Sequence, residues 1–500
     1  MSLKDRVEEF VGRYLANYSA PRIRGPKAIH DAVWGTNLFH PHEIAVLDTP
    51  LLQRLRRIYQ TGLCFLTFPS ATHTRFEHVL GVAVMATRFV QKVNEKYRFD
   101  EPLIKPDPAR GELASIRMAA LLHDVGHGFS SHISEELYQW RENLQEFLKR
   151  DRFSGKKPSE VLSYLIVTSE TFKKWFKTNI LDVYREEDVR INLDHVGDLI
   201  IGAPPGGNKK RGFVAKIISG PFDADKLDYI ARDSHFSGLK LTVDMERLFY
   251  MVSTYGDNDA PDGPQLVVQS PSPLEQLLFS KVMLFTTIYH HQKVKASDAM
   301  LHALVEAARF SGSGFRGNPL NDPTDFLSLT DFDILSDIER RDSLTDQLAS
   351  RISRRDLFRR ALVISADTVE RMDETFLRFT RLGGSPKELL KLRLDILDAI
   401  DGPPPSIHEL WISLPIIPTL SEATEALVQV PGVPEPKPLH DYFPVDGWLN
   451  AYAIRQWRGH VFCPRGFEQK VHDAARGVLT KWGLSLNDKS RDLCRTNIWE

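Results

Sequence analysis

The chain has 500 residues, 42% hydrophobic and 26% charged, which is long enough for more than one core and too apolar for a disordered chain. A formal net charge of −2 excludes bulk attraction to nucleic acid or an anionic membrane, so any phosphate site must come from a local basic cluster. Cys64, Cys463 and Cys494 are too few and too far apart for a disulfide framework or a CxxC zinc site, and they point to a reducing compartment.

The first 27 residues alternate charged and apolar positions without a signal-peptide core, and no window approaches 18 apolar residues, so a cytoplasmic chain with no membrane contact is expected. Within this extension, 1–27, residues 4–17 have helical spacing, with Val7, Phe10, Val11 and Tyr14 on one face, and Pro21 and Pro26 then break the chain. Residues 28–310 read as one mostly helical domain, with helices expected at 75–97, 112–124, 157–176, 221–235 and 274–310, and a loop at Gly202–Gly212. Residues 311–329, which open with SGSGFRGNPLNDPTD, read as a linker. In the C-terminal region, 330–500, a charged helical stretch at 330–400 precedes a proline-rich segment at 402–446, where Trp411–Ile417 has strand character, and a helical tail at 447–485. The expected class is mainly α with a smaller α+β C-terminal region. Arg340, Arg341, Arg351, Arg354, Arg355, Arg359 and Arg360 are diluted by Asp342, Asp346 and Asp356, the pattern of a solvated, salt-bridged face. No aromatic interleaving supports a strand-binding platform.

Three segments carry chemistry: His73-Thr-Arg-Phe-Glu-His78, Leu122-His-Asp-Val-Gly-His-Gly-Phe-Ser-Ser-His132 and Asp223-Ala-Asp-Lys-Leu-Asp-Tyr-Ile-Ala-Arg-Asp233. A carboxylate at Asp124, closing the apolar run Met118–Leu122, is costly to bury unless it is paired or bound to metal. Imidazole with carboxylate suits Mg, Mn, Fe, Zn or Co better than a thiolate-type zinc site. Gly126 and Gly128 let the backbone turn and approach a ligand closely, and His127 and His132 add titratable groups suited to proton transfer at neutral pH. On the third segment Asp225, Tyr229 and Arg232 fall on one helical face, and Asp228 lies one turn before Arg232, placed to pair with it. Lys226 and Tyr229 can reach a phosphate or a sugar, and Arg75 can grip a phosphate through its planar fork. Taken singly, His78 reads as a hydrogen-bonded core histidine and Asp225 as a solvated or Arg-paired helix residue. Taken together, the order His78, His123-Asp124, Asp225 reads as a metal site.

At these residues the chain resembles the HD superfamily, and within it the deoxynucleoside triphosphate triphosphohydrolases that carry a SAM and an HD domain, with their bacterial relatives. Ile29-His-Asp-Ala-Val-Trp-Gly35 is similar to the family's opening I-x-D-x-V/I-H-G. The likeness continues through Asp48–Ile58, Pro69–Gly81 and Tyr289–Leu301, and so covers roughly residues 28–305. It implies a helical HD phosphohydrolase core with His78, His123, Asp124 and Asp225 holding one divalent metal, and hydrolysis of a deoxynucleoside triphosphate to deoxynucleoside and inorganic triphosphate. It further implies His132 as general acid or base with Glu135 orienting it. Arg75, His127, Lys226 and Lys281 would lie on the triphosphate, Gln60, Tyr229 and Asp233 on the sugar, and Tyr289 against its 2′ position. Thr61 and His290 stand where the family has other residues near the sugar and base. A matching Asp48, Gln53 and Arg56 imply a nucleotide effector at a subunit interface, hence a homo-dimer or tetramer. The chain departs from the family at Lys156-Lys-Pro-Ser-Glu160, where a His-Glu pair is usual. That departure keeps two alternatives open: another phosphoester as substrate (a nucleoside monophosphate, a cyclic nucleotide or a nucleic-acid end), or a nucleotide-binding sensor with weak turnover.

Overall fold

In the computed structural model the described residues are 1–97, 101–241, 243–258, 260–312, 314–336, 343–417 and 424–495. Leu3–Leu15 is an amphipathic helix capped by Ser2, which exchanges hydrogen bonds with Asp5, and it buries Leu3, Val7, Phe10, Val11 and Leu15. The chain after it, expected to be helical from residue 28, instead forms an antiparallel hairpin of β1 (Lys27–Asp31) and β2 (Gly35–Phe39). The cause is local: the Asp31 carboxylate accepts the backbone N–H groups of Val33 and Trp34 at 2.8 and 2.7 Å and closes the turn.

The central helix is Arg75–Lys96, close to the expected 75–97. Glu77 accepts the Thr74 N–H in a capping box, and the helix is buried almost all round through its first three turns. Glu112–Leu122 lies against it and ends at His123. The expected helix at 157–176 is two, Pro158–Val167 and Glu170–Phe176, because the Ser169 hydroxyl accepts from Phe172 N–H and caps a new start. Ala224–Ser237 runs from the cap at Asp223 to a left-handed Gly238. The expected helix at 274–310 is Ser272–Leu284, a widened π-type turn at Phe285–Tyr289, and Gln292–Phe310.

Two further sheets lie toward the C-terminus. Strands β3 (Val252–Tyr255) and β4 (Gln265–Val268) form a hairpin. β5 (Arg359–Ser365) lies inside the stretch expected to be helical, because Leu362-Val363-Ile364 is a buried apolar run with two adjacent β-branched residues, Val363 and Ile364. β6 (Trp411–Ser413) falls where strand character was expected. β7 (Leu427–Val428) pairs in parallel with β4 and antiparallel with β8 (Lys437–Pro438). β9 (Arg458–Cys463) interrupts the expected helical tail and lies between β5 and β6, antiparallel to both. The main core takes residues from Leu3 to Phe358 with a few later ones, and a second core runs from Ala361 to Leu486. The expected linker contributes Phe315, Leu320, Phe326 and Leu327 to the main core, so it is packed chain rather than a tether. Arg340 and Arg341 lie outside the described residues, and among those described no helix is long and apolar enough to cross a membrane.

His42 gives the fold a measurable acid dependence. It is 2% exposed, its Nε2 has no partner, and burial, reinforced by His40 and Arg117, lowers its pKa to about 4 against the pull of Glu43. The unfolded chain takes up this proton near pH 6.5 and the folded chain only near 4, so stability falls as pH drops through that window, by about 3 kcal/mol at its lower end. Urea unfolding at pH 4.5 and 7.0 is expected to show a smaller acid loss in His42→Gln than in the parent chain, and equal losses would remove His42 as the cause.

Candidate metal and phosphate site

Three helices meet at the loop that follows Glu112–Leu122. The first turn of Arg75–Lys96 carries Arg75 and His78, the helix end delivers His123 and Asp124, and Ala224–Ser237 presents Asp225, Tyr229 and Asp233 at four-residue steps along one stripe. Arg232, expected on that stripe, turns away to pair with Asp228, because 3.6-residue periodicity places 228 and 232 together on the neighbouring face. Ligand-type atoms of His78, His123 and Asp124 lie within 4.8 Å of one another. Asp225 Oδ1 is 3.0 Å from His78 Nε2 and 3.8 Å from His123 Nε2, and Asp124 Oδ1 is 3.3 Å from His123 Nε2.

The donor set fits a divalent cation. His123 Nδ1 lies 2.7 Å from the Ala120 carbonyl, an acceptor, so Nδ1 carries the proton and Nε2 turns its lone pair inward, where it has no hydrogen-bond partner. A buried lone pair without a donor, beside two carboxylates and a second imidazole, is the chemistry a borderline cation satisfies. The carboxylates are ionised. Burial works against this at Asp124, but the Arg75 guanidinium foremost, with His78, holds it well below the usual carboxylate range. At Asp225 burial is likewise overcome by the hydrogen bond and charge of His78, with His123 and Lys157, and its pKa is low. Without a cation the same carboxylates hold a proton on His78: burial opposes, yet hydrogen bonds to Asp225 and Asp228 raise its pKa to about 10.

Arg75 is 2% exposed, with NH1 on Asp124, Nε donating to Ser131 Oγ at 3.0 Å, and NH2 buried without a partner. His127 lies 3.5 Å from Asp124 through Nε2, its Nδ1 has no partner, and burial followed by Arg75 keeps it neutral. An unpartnered guanidinium N–H beside a carboxylate–imidazole cluster suits a phosphoryl oxygen.

Glu135 and His132 form a pair at the rim. Ser159 fixes Glu135 Oε1 with its N–H at 3.0 Å and its hydroxyl at 2.7 Å, and Oε2 lies 3.3 Å from His132 Nδ1. Burial opposes ionisation of Glu135, but the His132 hydrogen bond, with the Ser159 N–H, holds its pKa far down. The His132 side chain is 66% exposed, so Nε2 is open. The loop entering the short helix His132–Tyr138 is strained at two adjacent residues, Ser130 (φ 50°) and Ser131 (φ 53°). Asp331 holds it by accepting the Ser130 N–H and hydroxyl at 2.8 and 2.7 Å. Gly126, expected to approach a ligand, approaches the chain's own helix: a Cβ there would sit 2.3 Å from the Ser159 carbonyl. The segment Lys156–Glu160 thus supplies Ser159 to Glu135. Lys157, half-exposed and 3.6 Å from Glu160, adds a positive charge felt at Asp225 and Tyr229.

Next to the cluster, Asp233 accepts from Tyr289 and lies 2.7 Å from His73 Nε2, a supporting residue the sequence reading passed over. Burial, then Asp233, raises the Tyr289 phenol well above its ordinary value, and burial, then Asp225, raises Tyr229. Gln60 Oε1 and Thr61 Oγ1 are buried without partners on the same side. Lys226 is turned to Asp223 and the Gly220 carbonyl, both at 2.8 Å. Lys281 sits in the last turn of Ser272–Leu284, and His290, lowered to about 3 by burial and then Lys295, closes the widened turn. Of the three expected effector residues, Gln53 Oε1 accepts from Arg56 Nε at 2.9 Å, Arg56 lies 3.7 Å from the Phe76 ring centroid, and the Asp48 carbonyl accepts from Tyr18.

Residues 75–210 match the HD domain and residues 243–487 the HD associated region. An uncharacterized protein of Methanocaldococcus jannaschii is 23% identical over 477 residues, covering 94% of this chain and 87% of its own length. A deoxynucleoside triphosphate triphosphohydrolase SAMHD1 homolog of Dictyostelium discoideum is 26% identical over 62% of this chain and 54% of its own. The deoxynucleoside triphosphate triphosphohydrolase SAMHD1 of Mus musculus is 31% identical over 46% of this chain and 34% of its own. This chain thus spans about half or less of those two triphosphohydrolases.

Proposed function

From a chain that carries an HD domain joined to an HD associated region, we propose a metal-dependent phosphohydrolase that converts deoxynucleoside triphosphates to deoxynucleoside and inorganic triphosphate. The observation that carries this reading is the meeting at Asp124 of His123 through Nε2, His127 through Nε2 and Arg75 through NH1, three buried side chains that keep unused hydrogen-bonding capacity at His123 Nε2, His127 Nδ1 and Arg75 NH2. His78, His123, Asp124 and Asp225 would hold the cation. When bound, it supplies positive charge against the phosphoryl oxygens. Arg75 binds and orients the phosphate chain through its spare N–H, and His127 and Lys157 add polar contacts beside it. His132 moves the proton: Glu135 fixes Nδ1, leaving Nε2 to pass a proton to the departing oxygen or take one from water. Asp233, set by His73 and Tyr289, meets the sugar with Gln60.

The reading is tested by sugar discrimination. Tyr289, tied to Asp233, would fill the space of a 2′-hydroxyl, so Tyr289→Ala is expected to raise the ribonucleotide-to-deoxynucleotide ratio of kcat/KM by roughly 10–100-fold. A ratio unchanged in a folded variant would remove Tyr289 from the sugar site. Lys156 and Lys157 in place of the family's His-Glu pair favour a second reading, a phosphoester with a different leaving group. Turnover of a nucleoside monophosphate or cyclic nucleotide, with deoxynucleoside triphosphates left intact, would select it.

A further inference from the structure

The Ile29–Gly35 motif plays no part in the chemistry above, yet it reaches the centre through an unbroken line of contacts. The Asp31 turn sends the Trp34 indole inward, and its Nε1 donates to Asp228 Oδ1. Asp31 Oδ2 also lies 2.9 Å from Arg232 NH2, and Arg232 donates Nε and NH2 to Asp228, each at 2.9 Å. The other end of this carboxylate reaches the cluster: Asp228 Oδ2 is 2.7 Å from His78 Nδ1. Asp228 and Arg232 are both fully buried.

A simple Asp228–Arg232 helix pair, the plainer expectation, would need neither the indole nor the imidazole. Nor does a buried ion pair repay its desolvation without further hydrogen bonds. Here the further bonds come from two distant elements, the hairpin and the His78 helix. The fit is close on the helix side as well. Gly81, one turn after His78, faces this carboxylate, and a Cβ there would stand 1.9 Å from Asp228 Oδ1 and 2.4 Å from Arg232 NH2. With Nδ1 held by Asp228, the imidazole has one ring orientation, and Nε2 faces Asp225 at 3.0 Å and Asp124 at 3.7 Å.

We propose that Asp228, aimed by Trp34 and Arg232, is a positioning residue that presents His78 Nε2 to the cation, which makes the β1–β2 hairpin a working part of the centre. This rests on the cation site proposed above. Outer carboxylates of this kind typically change metal affinity by about 10–100-fold.

The test uses the full chain, stripped of metal and titrated with Co(II), followed by its visible absorption. Asp228→Asn keeps the shape and removes the charge, and Trp34→Phe keeps the ring and removes the N–H. The expected result is Co(II) binding weakened about 10–100-fold in Asp228→Asn and roughly 3–10-fold in Trp34→Phe, both with an altered absorption band. In the double variant the Trp34→Phe effect should vanish, because the indole acts through Asp228. A merely structural role would lower the unfolding temperature and leave band and affinity alone. Parent-like affinity and band in folded variants overturn the proposal, and Trp34→Phe alone decides it should Asp228→Asn not fold. A parent chain that binds no Co(II) overturns the cation site itself, a result distinct from a parent that binds and variants that match it.

Discussion

Replacing His132 by glutamine is expected to lower kcat about 10²–10⁴-fold while cation content stays at the parent level. The separation follows from geometry. His132 lies outside the group of His78, His123 and Asp124, in a second cluster with His127 and Glu135, and its Nδ1 is engaged by Glu135, which two Ser159 donors hold in place. The ring therefore offers one free nitrogen at an exposed rim, where a substrate oxygen or a water can reach it. Glutamine retains a polar contact and cannot carry the proton. Glu135→Gln should lower kcat less, because it loosens the ring without removing it. Steady-state kinetics with elemental analysis of the same samples decides the point. A variant that keeps kcat within about threefold has another group moving the proton.

Asp124→Asn is expected to lose both cation binding and hydrolysis, and to unfold more readily in chelator than the parent. Asp124 touches His123, His127, His78 and Arg75 at once, so its charge is shared by the proposed cation ligands and the guanidinium proposed to bind phosphate. Arg75 is 2% exposed and would lose the counter-charge that offsets its burial, a change that typically costs about 3–5 kcal/mol. Chemical unfolding in chelator measures this cost directly. An Asp124→Asn chain that binds one cation as tightly as the parent would place the centre elsewhere.

The residues of the centre were legible because their chemistry is written locally. His78 opens a helix marked by a capping box and an apolar run, and His123-Asp124 ends another such run. Their partners were not. Asp228 reaches His78 across 150 residues, Ser130 and Asp331 are 201 apart, and His73 meets Asp233 at a separation of 160, distances at which sequence pattern carries no signal. The i+7 spacing puts Arg232 on the Asp225 face, and it turns from it because Asp228 and Asp31 take up its guanidinium. β5 was hidden by the arginines around it, since a charged surround reads as helix until a neighbouring strand, here β9, supplies its hydrogen bonds. The π-type turn that carries Tyr289 lay within one continuous helical period, which does not register an added residue.

Product identification tests the central claim most directly. Cation-loaded protein is incubated with each deoxynucleoside triphosphate, alone and in mixtures that allow for an effector, and the products are separated by anion-exchange chromatography. The result predicted is deoxynucleoside and intact inorganic triphosphate in equal amounts, absent with Asp124→Asn. Monophosphate with pyrophosphate, diphosphate with phosphate, or unconsumed nucleotide under every cation and mixture would contradict it.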